Sequence, residues 1–151
     1  MPEFHPALVE QGRRIIKHGL DVPHDADLVP LSCDVIEGDL AAALFAHGDA
    51  LEWVVFEHDT DWYSLGCTAI STTESPANGD QPRLEIRFDT WGRSRTKGWS
   101  LRGGHLVHTR ILRAQRIAQL RVAARTIATP HGWAIMVWRG RRRPAIAVDN
   151  L

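Results

Sequence analysis

His105-LVHTRILRAQRIAQLRVAARTI-Ala128 decides the fold, because its two readings lead to different architectures. The stretch has neither Gly nor Pro, and its Ala, Arg, Gln and Leu favour helix by propensity. Periodicity disagrees. At 100° per residue Arg110, Arg113 and Arg121 fall into one arc with Leu106, Ile117, Leu120 and Ala124, so no clean apolar face forms. At period two, Leu120, Val122 and Ala124 separate from Gln119, Arg121 and Arg125. Propensity is a weak prior that burial overrides, so strands are expected here. The chain is then α+β, with two N-terminal helices packed on a mainly antiparallel β-sheet or sandwich of about seven strands. In the alternative, residues 105–128 form a long helix packed on a smaller antiparallel sheet.

Beyond this stretch, Trp133–Trp138 and Pro144–Val148 are two β-like runs joined by RGRRR, which predicts a terminal hairpin with an arginine-loaded loop. Before it, Arg83–Asp89 alternates, with Leu84, Ile86 and Phe88 on one side and Arg83, Glu85 and Arg87 on the other. ESPANGDQP, residues 74–82, reads as a hinge. From Glu52, Trp53 and Val55 alternate against Val54 and Phe56. Trp62–Thr72 then makes a hairpin partner across Asp59, Thr60 and Asp61.

The N-terminal portion reads as helical. After Pro6, Leu8, Val9, Ile15 and Ile16 recur near helical spacing up to Gly19, with Gly12 as a weak point. Asp21–Pro30 reads as a surface connector, and Gly38–Ala46 as a second helix with Asp39 near its start and His47 and Gly48 at its end. At 151 residues, one hydrophobic core is the default. We therefore expect a single domain over 1–151, acidic and helical over about 1–50 and β-rich over about 51–151.

Net charge is zero, yet the chain is polarised: the first 80 residues carry 15 acids and 3 bases, the last 71 carry 3 acids and 15 bases. Sixteen of the 18 bases are Arg, whose planar fork suits carboxylate and phosphate. Cys33 and Cys67 are too few and too far apart for a metal knuckle or a disulfide framework, and they read as buried thiols; sequence alone leaves a bridge between them open. No apolar run approaches the roughly 20 residues that span a bilayer, and the start lacks a secretory apolar stretch, so a cytoplasmic protein with no membrane partner is expected.

Two basic segments carry the functional reading. Trp91–Trp99, W-G-R-S-R-T-K-G-W, encloses Arg93, Arg95 and Lys97 at alternate positions between Trp91 and Trp99, and Arg102 follows. An extended ribbon places those cations on one face beside aromatic rings, the combination that holds phosphates and stacks bases. A solvated hairpin with Trp91 and Trp99 paired is the plainer account. Arg139, Arg141, Arg142 and Arg143 form the densest cluster, and if it shares a side with the ribbon the basic patch is large. The leading expectation is a non-catalytic binding or interaction protein whose partner is an acidic macromolecule, nucleic acid or protein. The acidic half then either interleaves with the bases, meets a basic partner or another copy of the chain, or covers the basic face.

No P-loop and no G-x-G-x-x-G occur, and Gly98-Trp99-Ser100 begins a G-x-S whose fifth position is Arg102, so no nucleophile elbow forms. No cofactor is expected. The rival is a small metal-dependent or His/Asp-based hydrolase around His58, Asp59, Asp61, His105 and His108, with Cys33, Cys67 or His131 as further ligands. A strand weakens that site, because i,i+3 residues there point to opposite sides. A third possibility is a structural subunit of a larger assembly, including a homo-oligomer joined through complementary charged faces.

Overall fold

A computed structural model describes residues 6–19, 27–36, 40–58, 62–71, 81–93, 106–140 and 142–151, with side chains at all of these except 58 and 62–71. They form one helix, α1 (Pro6–Gly19), and ten strands: β1 (Val29–Ile36), β2 (Leu40–His47), β3 (Ala50–His58), β4 (Trp62–Ser71), β5 (Arg83–Arg93), β6 (Leu106–Gln115), β7 (Ile117–Val122), β8 (Arg125–Ala128), β9 (Trp133–Arg139) and β10 (Ile146–Asn150). All seven strand pairings among the described residues are antiparallel, in three sheets ordered β1-β2-β3-β4, β5-β6-β9 and β10-β7-β8.

The sheets stack in layers. Helix α1 lays Leu8, Val9 and Ile16 on one face of the first sheet, against Ala41, Ala43, Phe45, Val54 and Phe56. The opposite face of that sheet, with Leu40, Ala42, Leu44, Trp53 and Val55, packs on Ile111, Ile135 and Val137 of the middle sheet. The far face of the middle sheet, with Leu112, Ala134, Met136 and Trp138, packs on Leu120, Val122 and Ile127 of the third. Gly12 is where α1 comes closest to the sheet, since a Cβ there would lie 2.9 Å from the Phe45 ring.

The described part of this stretch, residues 106–128, forms strands and not a long helix. Two non-glycine residues with left-handed backbone divide the stretch, Arg116 (φ 54°) between β6 and β7 and Ala123 (φ 52°) in the two-residue turn between β7 and β8. Such conformations cost L-residues roughly 1–2 kcal/mol each. The burial of Leu112, Ile117, Leu120, Val122 and Ile127 is what holds them.

The expected single sheet or sandwich of about seven strands is instead three stacked sheets with ten strands among the described residues, two of them within the first 50 residues, and four further expectations are corrected. Gly38–Ala46 is not a second helix: Leu40–His47 is β2, and Leu40 to Phe45 are all buried because this strand is covered on both faces. A short strand buried on both sides shows no alternation, so its apolar run resembles a core helix. Val29 and Pro30 do not belong to a connector but start β1, with Pro30 at a register shift on an edge strand, where a missing N–H is tolerated. The terminal hairpin does not form: β9 pairs with β6 in the middle sheet and β10 with β7 in the third. Every residue from Trp133 to Trp138 is buried, so β9 must lie between two layers. Finally, a bulge between Ile86 and Phe88 breaks the alternation of β5. Leu84 packs toward the third sheet and Phe88 toward the first, where its ring centroid lies 5.6 Å from that of Trp53.

The two thiols cannot bridge. Cys33, Ala43, Val54 and Cys67 occupy one row across the first sheet, which puts the cysteines on its opposite edge strands. Three strand spacings amount to about 14 Å, whereas a disulfide needs Cα atoms within about 7 Å. Burial pushes the Cys33 thiol up to about 12, so it stays protonated.

Candidate nucleic-acid interface at one end of the middle sheet

Arg93 and Gly140, after which the chain enters its two basic runs, lie at one end of the middle sheet. Arg93, the last residue of β5, is in register with Leu106, the first of β6, and the Gly140 N–H donates to the Leu106 carbonyl from the other side at 2.9 Å. Arg93 and Gly140 thus flank one residue, about 10 Å apart across two strand spacings. Arg93, Arg142 and Arg143 are exposed. Arg95, Lys97, Trp99, Arg102 and Arg141 lie outside the described residues.

Arg139 behaves differently from its neighbours in sequence. Its guanidinium turns inward and donates to Glu57 at 3.1 Å, and the Glu57 side chain is fully buried. Arg125 makes a similar contact with Asp34, donating through Nε at 2.6 Å and Nη2 at 2.9 Å. The Asp34 carboxylate also accepts the Val137 N–H at 3.0 Å, and Arg125 donates to the Val137 carbonyl at 2.9 Å. Ser32 accepts the Ile135 N–H at 3.0 Å. In this way side chains of β1 and β8 satisfy an edge of β9 that no strand among the described residues covers, and all three sheets meet at Asp34.

Beside the basic end lies a row of rings. Trp91, His108 and Trp138 are in register across β5, β6 and β9, so they share the face turned toward the third sheet. The bulge near Arg87 shifts the parity of β5 and places Trp91 and Arg93 on this face. The His108 ring stacks on Trp138 with centroids 5.0 Å apart and planes 5° apart, and the Arg110 guanidinium lies 5.4 Å from the Trp138 centroid. Asp89 holds Arg110 through Nη2 at 2.7 Å. The third sheet covers Trp138 but leaves Trp91 60% exposed. The Trp138 Nε1, His108 Nε2 and Arg110 Nε and Nη1 atoms are buried and find no acceptor among the described residues.

The cross-strand neighbour of Trp91 on β6 is His108, and the expected partner Trp99 lies outside the described residues. The ring row was not foreseen as a unit, although His108 and Arg110 at i and i+2 on a strand already placed them on one face. Of the hydrolase candidates, Asp59, Asp61, His105 and the His58 side chain lie outside the described residues. His108 is engaged with Trp138 and His131 is exposed. Among the described residues, no group of three His, Cys, Asp or Glu is placed to hold a metal, and no helix is long and apolar enough to cross a membrane. No protein-family model, curated protein or solved structure matches the chain.

Proposed function

We propose that this chain is a non-catalytic binding protein that docks an acidic macromolecule on the basic end of its middle sheet. The observation that carries the reading is the meeting of Arg93 and Gly140 around Leu106, the two described points from which the chain enters basic runs far apart in sequence. Arg142 and Arg143 follow Gly140 into solvent with exposed side chains. Cations grouped at one place attract a polyanion by counterion release, which makes binding steeply salt-dependent.

Retention on a polyanion column as salt rises tests the reading. Changing Arg93, Arg142 and Arg143 to Ala together should advance elution and reduce the slope of log affinity against log salt by roughly 0.7–0.9 for each phosphate that is no longer neutralised. Elution unchanged by the triple substitution refutes the proposal.

A further inference from the structure

Resting on the polyanion reading, we infer that the acidic partner is single-stranded nucleic acid, and that the exposed face of Trp91, set beside Arg93 on the open corner of the middle sheet, is a base-stacking platform.

The exposure of Trp91 depends on its position. Trp53, Trp133 and Trp138 are each more than nine-tenths buried, while Trp91 is 60% exposed on the face of a sheet. The bulge in β5 is the device that puts it there: it sends Phe88 into the core against Trp53 and brings Trp91 and Arg93 to the face shared with His108. Bulges re-aim side chains in this way. On the same face Asp89, bound to Arg110, separates Trp91 from Ile86, so the open indole stands between one carboxylate and Arg93.

The chemistry beside the ring fits a nucleotide. Arg93 is exposed two residues from Trp91 on its side of the strand, in reach of a phosphate attached to a base on the indole. On the adjacent strand Arg110 is oriented by Asp89 yet keeps two buried donor atoms without acceptors among the described residues, and Trp138 Nε1 adds a third along the ring row. Buried donors of this kind ordinarily have partners. A duplex hides its base faces, and an acidic protein surface offers carboxylates with few flat rings. Unpaired bases with their phosphates use both the open indole and the cation next to it.

The test titrates the full chain with a short oligo-thymidylate, a duplex of equal phosphate content, inorganic polyphosphate and poly-glutamate. Oligo-thymidylate should bind tightest. Trp91→Ala should weaken that binding by about tenfold with the salt slope unchanged. Trp91→Phe should retain most of it, and polyphosphate binding should not respond to either change. If Trp91→Ala leaves oligo-thymidylate binding intact, or if duplex or poly-glutamate binds as tightly, stacking is refuted. The broader polyanion reading still stands in that event, provided the Arg93, Arg142 and Arg143 substitutions weaken binding. If no polyanion binds, that reading itself has failed. Trp91 lies on the surface, so an unchanged thermal midpoint separates a binding defect from a folding defect.

Discussion

Two regions of this molecule treat arginine in opposite ways. Between the sheets, Arg125 and Arg139 from the basic half are held against Asp34 and Glu57 from the acidic half, whose side chains are almost wholly buried. At the open end of the middle sheet, Arg93, Arg142 and Arg143 face solvent. A charge can be taken out of water only when a partner compensates it, so the junction arginines are committed to the fold. Exposed cations cost the fold little, and they remain available to a partner. Local charge density does not separate the two groups, since Arg139 belongs to the densest run of arginines yet turns inward.

The sharpest way to break this contrast is Asp34→Ala. It strips Arg125 of its carboxylate and removes the acceptor of the Val137 N–H, so a loss of about 3–5 kcal/mol in urea denaturation is expected. Arg125→Ala combined with it should cost much less than the two single changes added together, because both remove the same ion pair. A loss below about 1 kcal/mol for Asp34→Ala would place the junction with ordinary surface pairs.

Next in size is the pair Arg139→Ala and Arg142→Ala. The first should cost about 1–3 kcal/mol by removing a charged hydrogen-bond donor from Glu57, and should leave the salt slope of polyanion retention unchanged. The second should do the reverse, with stability within about 0.5 kcal/mol of the parent and a shallower salt slope. Denaturation and column retention on the same two proteins check both halves.

A smaller effect of opposite sign is expected at Ala123, in the turn that delivers Arg125 to Asp34. Ala123→Gly relieves the left-handed backbone there and should raise stability by about 1 kcal/mol, or about 2–4 °C in thermal midpoint. A lower midpoint would mean that the turn carries no strain.

The smallest effect concerns Glu52, a buried carboxylate of the acidic half with His47 as its charge partner at 3.8 Å. Burial pushes its carboxyl above the usual carboxylate range, and His47 pulls it back only in part. The folded chain therefore holds this proton more tightly than the unfolded chain. Its contribution is most favourable below the unfolded value and declines as pH rises through the folded one. Glu52→Gln should flatten that decline, giving a slight gain near neutral pH that vanishes in acid, as read from urea midpoints across the acidic range.

Much of the fold could be read from local pattern. Helix α1 spans Pro6–Gly19 as the spacing of Leu8, Val9, Ile15 and Ile16 implies, and β3 shows the expected alternation, with Trp53 and Val55 toward the middle sheet and Val54 and Phe56 toward α1. Where both faces of an element are buried, the signal vanishes, and β2 resembles a helix for that reason. Strand β1 was hidden by its own polar residues. Ser32 and Asp34 look like loop formers until the β9 edge they satisfy is known. The candidate site was half legible: Trp91 and Arg93 stand out by composition, but the bulge that aims them and the His108–Trp138 stack beside them do not.

The sequence by itself determined that Pro6–Gly19 is helical, that residues 106–128 extend as strands, and that opposite charges lie in opposite halves. These follow from short-range periodicity and composition, which depend on which side of each residue is buried and on nothing farther away. Only the tertiary structure decided which strands pair, where the bulge falls, and which arginines turn inward. Those depend on contacts between residues as far apart as Asp34 and Arg125. There burial makes an unpaired charge or N–H too costly to leave, and no window of local sequence contains both partners.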